Sequence, residues 1–550
     1  QVLKDASAAA IYGSRAANGV IIITTKRGTK GEMNVSYSGY YGFQEITERM
    51  DVLDREQYQT LVNESTNNAK AYPEYSELYI FPANDPSSPY YVDNVNTNWQ
   101  DELFKTGHIN NQTISVSGGN EVSNFSMSLN YFDQTGTVQG NGPNYTRYGI
   151  MVNSDHKLGK LKVGESIHYT YANSDLMSFL HDGTMLGYTA SAIPTLPVYD
   201  ETKMNGYSSA SADLHGAYSA NVIGMNNLIE SNTKRYRLIG NVYGEYEIIK
   251  GLKYKLSLSY ERTDWRDYHF EPLYDLGWFA GFSNTIAKMD DNRGYGYTGT
   301  IENTLSYNTT IDKLTVNALV GQSALNTFMS RSFGHAEGFS EPYFKQLSNG
   351  EDRTSSGDEF QSRLASYFGR VILGYDDKYL LTATIRRDGS SRFSPQNKWG
   401  NFPSVAIAWK AHQEDFLASS EFISQLKVRA SYGVLGNQNI GDYRYQGYIN
   451  PYASYVLNGN AVAGAAQFIP ASTDIKWEQS KTTNIGLDFG LLENRILFTT
   501  EYYIKRVDDL LGTIPTPTHL GWYDWESPVR NALSVKNQGF ESVFLKRDFQ

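Results

Sequence analysis

Cysteine is absent from all 550 residues, which removes disulfide bonds, thiolate metal ligands and cysteine nucleophiles together. Long apolar runs are absent as well. The stretch from Val20 to Ile23 is typical of the longest, far below the ~20 residues that a membrane-crossing helix needs. If this chain crosses a membrane, it does so as a β-barrel. Basic charge is in deficit, with 48 Lys and Arg against 59 Asp and Glu and a formal net charge of -11. A nucleic-acid surface, which needs clustered cations, is therefore not expected. Signatures of chemistry are missing too: no phosphate-cradling P-loop and no zinc-protease spacing occurs. His181-Asp182 has neither a nucleophile motif nor metal-ligand spacing around it, and the nine His are scattered. The pairs Asp290-Asp291, Asp376-Asp377 and Asp508-Asp509 read as solvated acids in turns or loops, because adjacent residues on a strand point to opposite faces. No enzymatic activity, cofactor or metal is expected. The chain starts at Gln1, so the lack of a signal peptide carries no information on location.

What is abundant is tyrosine and glycine, 42 and 48 residues, in a chain that is 14% aromatic. That profile favours twisted strands and tight turns over helices. Length alone allows three or four domains, although all-β architectures run long as one unit. Alternation with a period of two is clean over most of the chain. Leu252, Tyr254, Leu256, Leu258 and Tyr260 fall on one face of a strand, and Lys253, Lys255, Ser257, Ser259 and Glu261 on the other. Similar patterns run through Phe125 to Tyr131, Ile301 to Asn308 and Leu381 to Arg386. A half-buried sheet in a soluble sandwich or propeller would show the same alternation.

The connections separate these readings. Tight turns are expected at Gly118 to Asn124, His156 to Lys160, Ile249 to Gly251, Asn308 to Lys313, Asp376 to Lys378 and Leu491 to Arg495, with the helical-looking Gln413 to Gln425 as the longer member. Between them lie long excursions at Gln44 to Ile109, Asn173 to Thr233, Arg262 to Gly294, Thr327 to Glu359, Leu435 to Lys481 and Val507 to Asn537. Short turns at one end and long loops at the other are the asymmetry of an outer-membrane barrel, and a propeller has no reason to sort its loops so. The fold class is thus all-β, a transmembrane antiparallel β-barrel, with about sixteen strands of roughly ten residues or more. Tyr375 and Tyr379, flanking the Asp-Asp-Lys turn, would place their rings at a membrane interface.

With a barrel in view, the opening stretch becomes legible. "ASAAAIYGSRAANGVIIITTK", Ala6 to Lys26, resembles the last segment of the plug domain of TonB-dependent outer-membrane transporters, directly followed by the first barrel strand. The chain is identified as a member of the SusC/RagA class by further motifs in order. They are "TNWQDELFKTG" (Thr97 to Gly107), "SVSGG" (Ser115 to Gly119), "KYLLTATIRRDGSSRF" (Lys378 to Phe393), "NKWGNFPSVAIAW" (Asn397 to Trp409), "LKVRASYGVLGNQNIGDY" (Leu426 to Tyr443) and "KWEQSKTTNIGLDFGLLENRILFTTEYYIKRVDDLL" (Lys476 to Leu511). In the first motif, which includes Tyr12, Gly13 permits close backbone approach or positive φ, and Asn18-Gly19 reverses the chain before a strand. The β-branched run Val20 to Thr25 has the profile of a strand buried on both faces.

The resemblance implies residues 1–30 as the C-terminal end of a plug domain and 31–550 as a barrel incomplete at its C-terminus. A complete barrel would have about 22 strands, leaving an open wall here with the first and last strands unpaired. It further implies import of oligosaccharides or peptides across the outer membrane of a Gram-negative bacterium, with a SusD-like surface lipoprotein as lid. The TonB-ExbB-ExbD complex would supply energy through a contact segment that this chain does not carry. Oligosaccharide is the favoured cargo. Arg386, Arg387, Asp388 and Arg392 are expected to form a packed ion-pair network at an upper strand end. Ligand contacts are expected in outer loops from two aromatic clusters, Trp278, Phe279 and Phe282, and Trp522, Tyr523 and Trp525, whose flat faces stack on sugar rings or peptide side chains. Packing of loops against one another is the competing role. A siderophore or cobalamin receptor of the same superfamily, and a soluble carbohydrate-binding or glycan-degrading β-protein, are the alternative readings.

Overall fold

The computed structural model describes residues 2–546 apart from 4, 5, 18, 93, 178–184, 280, 342, 516 and 518–526. Sixteen long strands build the wall. The first eight are β1 (Gly31–Gln44), β2 (Gly107–Gly119), β3 (Ser123–Thr135), β4 (Asn144–Leu158), β5 (Leu161–Asp175), β6 (Glu230–Ile249), β7 (Leu252–Glu271) and β8 (Lys288–Ile311). The second eight are β9 (Leu314–Phe339), β10 (Gly350–Tyr375), β11 (Tyr379–Ser390), β12 (Trp399–Lys410), β13 (Ile423–Asn437), β14 (Glu478–Leu491), β15 (Ile496–Thr513) and β16 (Val529–Lys546). They form one sheet in chain order, each bonded to the next, with β1 and β16 as edges that do not bond to each other. Strand number and open seam agree with the sequence expectation.

Turns at one end are short: 120–122, 159–160, 250–251, 312–313, 376–378 and 492–495, with 411–422 the longer link. Asp376 and Asp377 both take positive φ, 51° and 53°, the mirror-image turn that matches the twist of paired strands. The other end carries 45–106, 176–229, 272–287, 340–349, 438–477 and 514–528. Two links there, 136–143 and 391–398, are short, an exception that the sorting of loops did not anticipate.

The N-terminal segment identifies the inner face of the wall, because Arg386, Asp388, Asp155 and Lys505 all reach it. Register carries that assignment along the sheet. Lys255 lies over the ring of Tyr243, which itself donates to Asp155, so Lys253, Lys255, Ser257 and Ser259 face inward and Leu252, Tyr254, Leu256, Leu258 and Tyr260 outward. The outward face is bounded by aromatic rows in direct register. Tyr131, Tyr148, Tyr171 and Tyr236 stand opposite one another on four adjacent strands, with ring centroids 5.3, 6.3 and 4.9 Å apart. Near the turns, Tyr375, Tyr379 and Trp409 form a second row. On β10 the outward Tyr367 and Tyr375 are separated by about 26 Å of strand, the scale of the apolar band of an outer-membrane barrel.

Two expectations need correction. Arg262 to Gly294 and Thr327 to Glu359 are largely strand, since β7 to β10 run 20 to 26 residues and continue well past the aromatic row. Charges occupy both faces there, so no polar and apolar alternation marks the strands. Cross-strand pairs such as Arg331–Asp358 (2.6 Å) and His335–Asp290 (2.8 Å) support them instead. The run Val20 to Thr25 is not buried on both faces. Only Val20–Ile21 pairs, with Val2–Leu3, and Ile21 and Ile23 are 73% and 83% exposed. A β-branched run buries only where partners cover it, and among the described residues a two-residue strand is its sole sheet partner.

Over β1 to β8 the long loops fold together around a hydrophobic core of their own. Trp99, Leu103, Ile193, Leu196, Val222, Met225, Leu276 and Phe282 are among its buried members. The "NWQDEL" motif explains its seat: Asn98 caps the short helix Trp99–Leu103, and the Trp99 indole donates to the Ile193 carbonyl at 2.9 Å.

Candidate functional site

The helix Ala6–Ala9 and the 3-10 turn Ala10–Arg15 lie along the inner wall across β11 to β13. Ala9, Ala10 and Ala16 are buried against Leu435 of β13, with Leu3, Tyr12 and Val20 around them. Small side chains let the segment sit close to the wall. Gly13 has φ +56, and a Cβ there would lie 2.2 Å from Arg386 Nε and 2.6 Å from Asp388 Oδ2, so only glycine fits. Arg386 donates to Asp388 Oδ1 (2.7 Å), to Ser366 Oγ (2.8 Å) and to the carbonyl of Ile11. Asp388 Oδ2 accepts the Ser14 backbone N–H at 3.0 Å. Both charged side chains are buried, 4% and 0% exposed. An ion pair persists in such a low-dielectric seat only when its remaining donors and acceptors are also used, as they are here.

Further ties spread the segment over the wall. Lys505 donates to the Ala17 carbonyl (2.9 Å), Arg27 to Asp155 (2.8 Å) and Asn153 to the Lys26 carbonyl (3.2 Å). Gly19 turns with φ +93, and Asn18 lies outside the described residues. Sequence reasoning named the clamp pair but missed Ser366, Lys505 and Asp155. These are single polar residues in ordinary strands, and no local signal distinguishes them.

The expected network of four charged residues is two separate arrangements and an outlier. Arg386 and Asp388 form the clamp. Arg392 pairs instead with Asp442 (2.8 Å), fifty residues on. Arg387 points outward over the Trp399 ring, 5.2 Å from its centroid, because neighbours on a strand face opposite ways. Beside the Arg392–Asp442 pair, four motif segments meet. Phe393, Phe402, Val434, Ile440, Ile475 and Trp477 form one buried cluster, and the Trp477 indole donates to the Lys398 carbonyl at 2.9 Å. Phe393 and Trp477, 84 positions apart in sequence, thus share one small core.

Among the loop aromatics, Trp278 and Phe279 are 40% and 36% exposed, whereas Phe282 is 2% exposed. Phe282 belongs to the loop core and offers no face to a ligand, which corrects the expectation for that residue. Tyr218, unforeseen, joins the exposed pair with centroids 4.9 Å from Trp278 and 4.8 Å from Phe279. It comes from a different loop, so proximity in sequence could not reveal it. The Trp278 indole is held by the Ala217 carbonyl at 2.9 Å. Trp522, Tyr523 and Trp525, like His181-Asp182, lie outside the described residues.

The acidic pairs are structural, and two of them are not in loops. Asp290 and Asp291 sit in β8 on opposite faces, Asp290 on inward His335 and Asp291 on Arg266 and Arg293. Burial alone would raise the Asp291 carboxyl, but Arg293 and Arg266 outweigh it and hold the group at about 2. Asp508, in β15, accepts from Lys481 and Arg506. Asp376 and Asp377 do lie in a turn, paired with Lys313 and Lys410.

Residues 195–544 match the sequence profile of the TonB dependent receptor-like, beta-barrel family. The chain is 32% identical over 563 residues to TonB-dependent receptor P3 of Formosa agariphila, covering 100% of this chain and 52% of that protein. To TonB-dependent receptor SusC of Bacteroides thetaiotaomicron it is 30% identical over 569 residues, covering 98% and 53%. The chain spans about half the length of the curated relatives it matches. In fold it is similar to the solved RagAB peptide transporter, with a TM-score of 0.81 at 23% identity, covering 100% of this chain and 62% of that chain. An antiparallel wall in chain order, sorted turns and loops, an inner-wall segment clamped by a buried ion pair and a profile match over more than half the sequence lead to one conclusion: the chain belongs to the TonB-dependent receptor-like β-barrel family.

Proposed function

We propose that this chain is the plug-end and barrel-wall portion of a SusC-like importer in the outer membrane, carrying oligosaccharides inward at the expense of TonB-coupled energy. In this reading residues 1–30 are the end of the plug and 31–550 are wall. The observation that carries it is the clamp: a short helical segment seated on the inner wall through Gly13, Arg386 and Asp388. A segment held by a few buried polar bonds, rather than by strand pairing, suits a plug that must shift and reseat. The loop layer supplies an outer vestibule, and Trp278, Phe279 and Tyr218 offer it a flat aromatic face. In the same reading Trp522, Tyr523 and Trp525, outside the described residues, are further contacts for cargo or lid. A SusD-like lipoprotein is the proposed lid over that end. No covalent chemistry on cargo is required.

Peptide import by the same fold is the second reading, favoured by the fold likeness to a peptide transporter. Uptake of labelled oligosaccharides and peptides by cells with and without the intact transporter, with and without a protonophore, tests both. Oligosaccharide uptake that needs the transporter and the proton gradient is the expected result. Uptake insensitive to the protonophore overturns the TonB coupling, and peptide uptake alone overturns the cargo. Replacing Trp522 and Trp525 by Ala should weaken binding of cargo or lid without lowering the amount of folded barrel; unchanged binding returns them to packing.

A further inference from the structure

On the inner face of β2 to β7, two rungs of directly paired residues line a concavity of about 620 Å³. One rung runs Phe132, Arg147, Ala172, Arg235; the next runs Asn130, Gly149, Thr170, Arg237, Thr263. Gly149 and Ala172 keep the floor low at the centre, while long side chains rise around it. Three guanidiniums, Arg147, Arg235 and Arg237, line this hollow against one carboxylate, Glu261. Glu261 is already taken, accepting two bonds from Arg237 at 3.0 and 2.6 Å. Arg147 donates only to the neutral Asn130 (3.1 Å) and lies 5.4 Å from the Phe132 ring centroid. Arg235 has no carboxylate partner among the described residues. In a chain of net charge -11, such a surplus of unpaired cations on a concave inner surface is out of character. Asn130, Thr113, Ser128, Thr170 and Thr263 add a dense set of amide and hydroxyl groups. The hollow stands level with the outward tyrosine row nearer the loops, on the way in from that end.

Resting on the importer reading above, we infer that this hollow binds the acidic ring substituents of an anionic oligosaccharide, with Arg147 and Arg235 as the anion contacts. Guanidinium forks match the planar carboxylate of a uronate and the oxygens of a sulfate ester, and the surrounding hydroxyls and amides match ring hydroxyls. Glu261 keeps Arg237 in place rather than binding cargo.

The test is binding of four probes to the detergent-solubilised intact transporter: an oligogalacturonate, a sulfated galactose oligosaccharide, a neutral maltooligosaccharide of equal length and an oligoglutamate peptide. At low salt one or both anionic sugars should bind about tenfold tighter than the neutral one, the step expected from one charge-assisted contact, and added NaCl should erode the difference. Which anionic sugar binds decides between carboxylate and sulfate. The Arg147→Gln/Arg235→Gln double variant should lose the preference and keep neutral-sugar binding and heat-modifiable migration on gels. Lys234→Gln, on the outward face, should leave it intact. Equal affinity for neutral and anionic sugars, or a preference surviving in the double variant, overturns this inference and spares the importer reading. Binding of oligoglutamate with no sugar bound overturns the oligosaccharide cargo as well.

Discussion

The two halves of the wall differ in what they hold. Over β1 to β9 the structure is loop-heavy: a hydrophobic core of loop residues sits above an inner face with a concavity lined by three guanidiniums. Over β10 to β16 the inner face is filled, with the N-terminal segment clamped against β11 to β13 and four motif segments packed beside it. Most of the long motifs that carry the family resemblance fall in this second half. The difference teaches that recognisable sequence clusters where the wall must grip a particular partner segment atom by atom. The loop half is organised by a less exacting rule, burial of apolar side chains, which many sequences satisfy.

Removing the grip should have the largest effect. Arg386→Ala leaves the fully buried Asp388 carboxylate without its cation, and loss of one partner of a buried pair costs about 3–5 kcal/mol. Unfolding in denaturant and protease sensitivity of residues 2–27 should both report it in the intact transporter. Arg387→Ala, one residue on and facing outward, should change stability by less than about 0.5 kcal/mol. Equal effects of the two would dissolve the clamp. In the loop half, Trp99→Ala empties a core site that is 2% exposed and should cost about 3–5 kcal/mol. Limited proteolysis should then cut the loops while the wall keeps its heat-modifiable migration; collapse of the whole barrel would show that the loop core is not a separate unit.

The wall itself is common to both halves. Arg placed at Leu256 in β7 or at Ile385 in β11, both outward, should cost a similar ~2–4 kcal/mol in either half. If Ser257→Arg, on the inner face, were the more damaging, the orientation would be reversed. The smallest effects concern pH, and they oppose each other. Glu414, in the link after β12, accepts from Tyr379 (2.7 Å), Trp409 (3.1 Å) and Lys378 (3.2 Å). The Tyr379 bond first, then the other two, hold its carboxyl at about 2. Its folded value is depressed, so its contribution is complete above the ordinary 4.5 and is lost as pH falls towards 2. His335, on the part of β9 beyond the aromatic row, is raised above 6.5 by Asp290 first and by Glu337. Its contribution is complete below 6.5 and is lost as pH rises through the higher folded value. Proteolysis of the turn end should therefore rise in acid and that of the β8–β9 ribbon in mild alkali, with Glu414→Gln and His335→Gln each flattening one profile. A ribbon more stable at higher pH would contradict the His335 assignment.

The architecture of the wall was legible from sequence alone because its causes are local. A period of two decides which side chains share a face, a tight turn decides where the chain reverses, and the sorting of short and long connections decides which ends are which. Alternation failed where charges occupy both faces, as from Arg262 to Glu271, and there strands look like loops. Gly13 was legible as a special backbone position, but not that Arg386 is what approaches it, 373 residues away. The fate of equivalent-looking residues needed tertiary structure. Phe282 is core and Trp278 is surface within one loop, Arg386 grips the inner segment while Arg387 faces out, and Tyr218 joins Trp278 from another loop. Each of these depends on which distant segment arrives beside the residue. Periodicity assigns a face, but contacts made across hundreds of residues are set only when the sheet curves and the loops pack upon it.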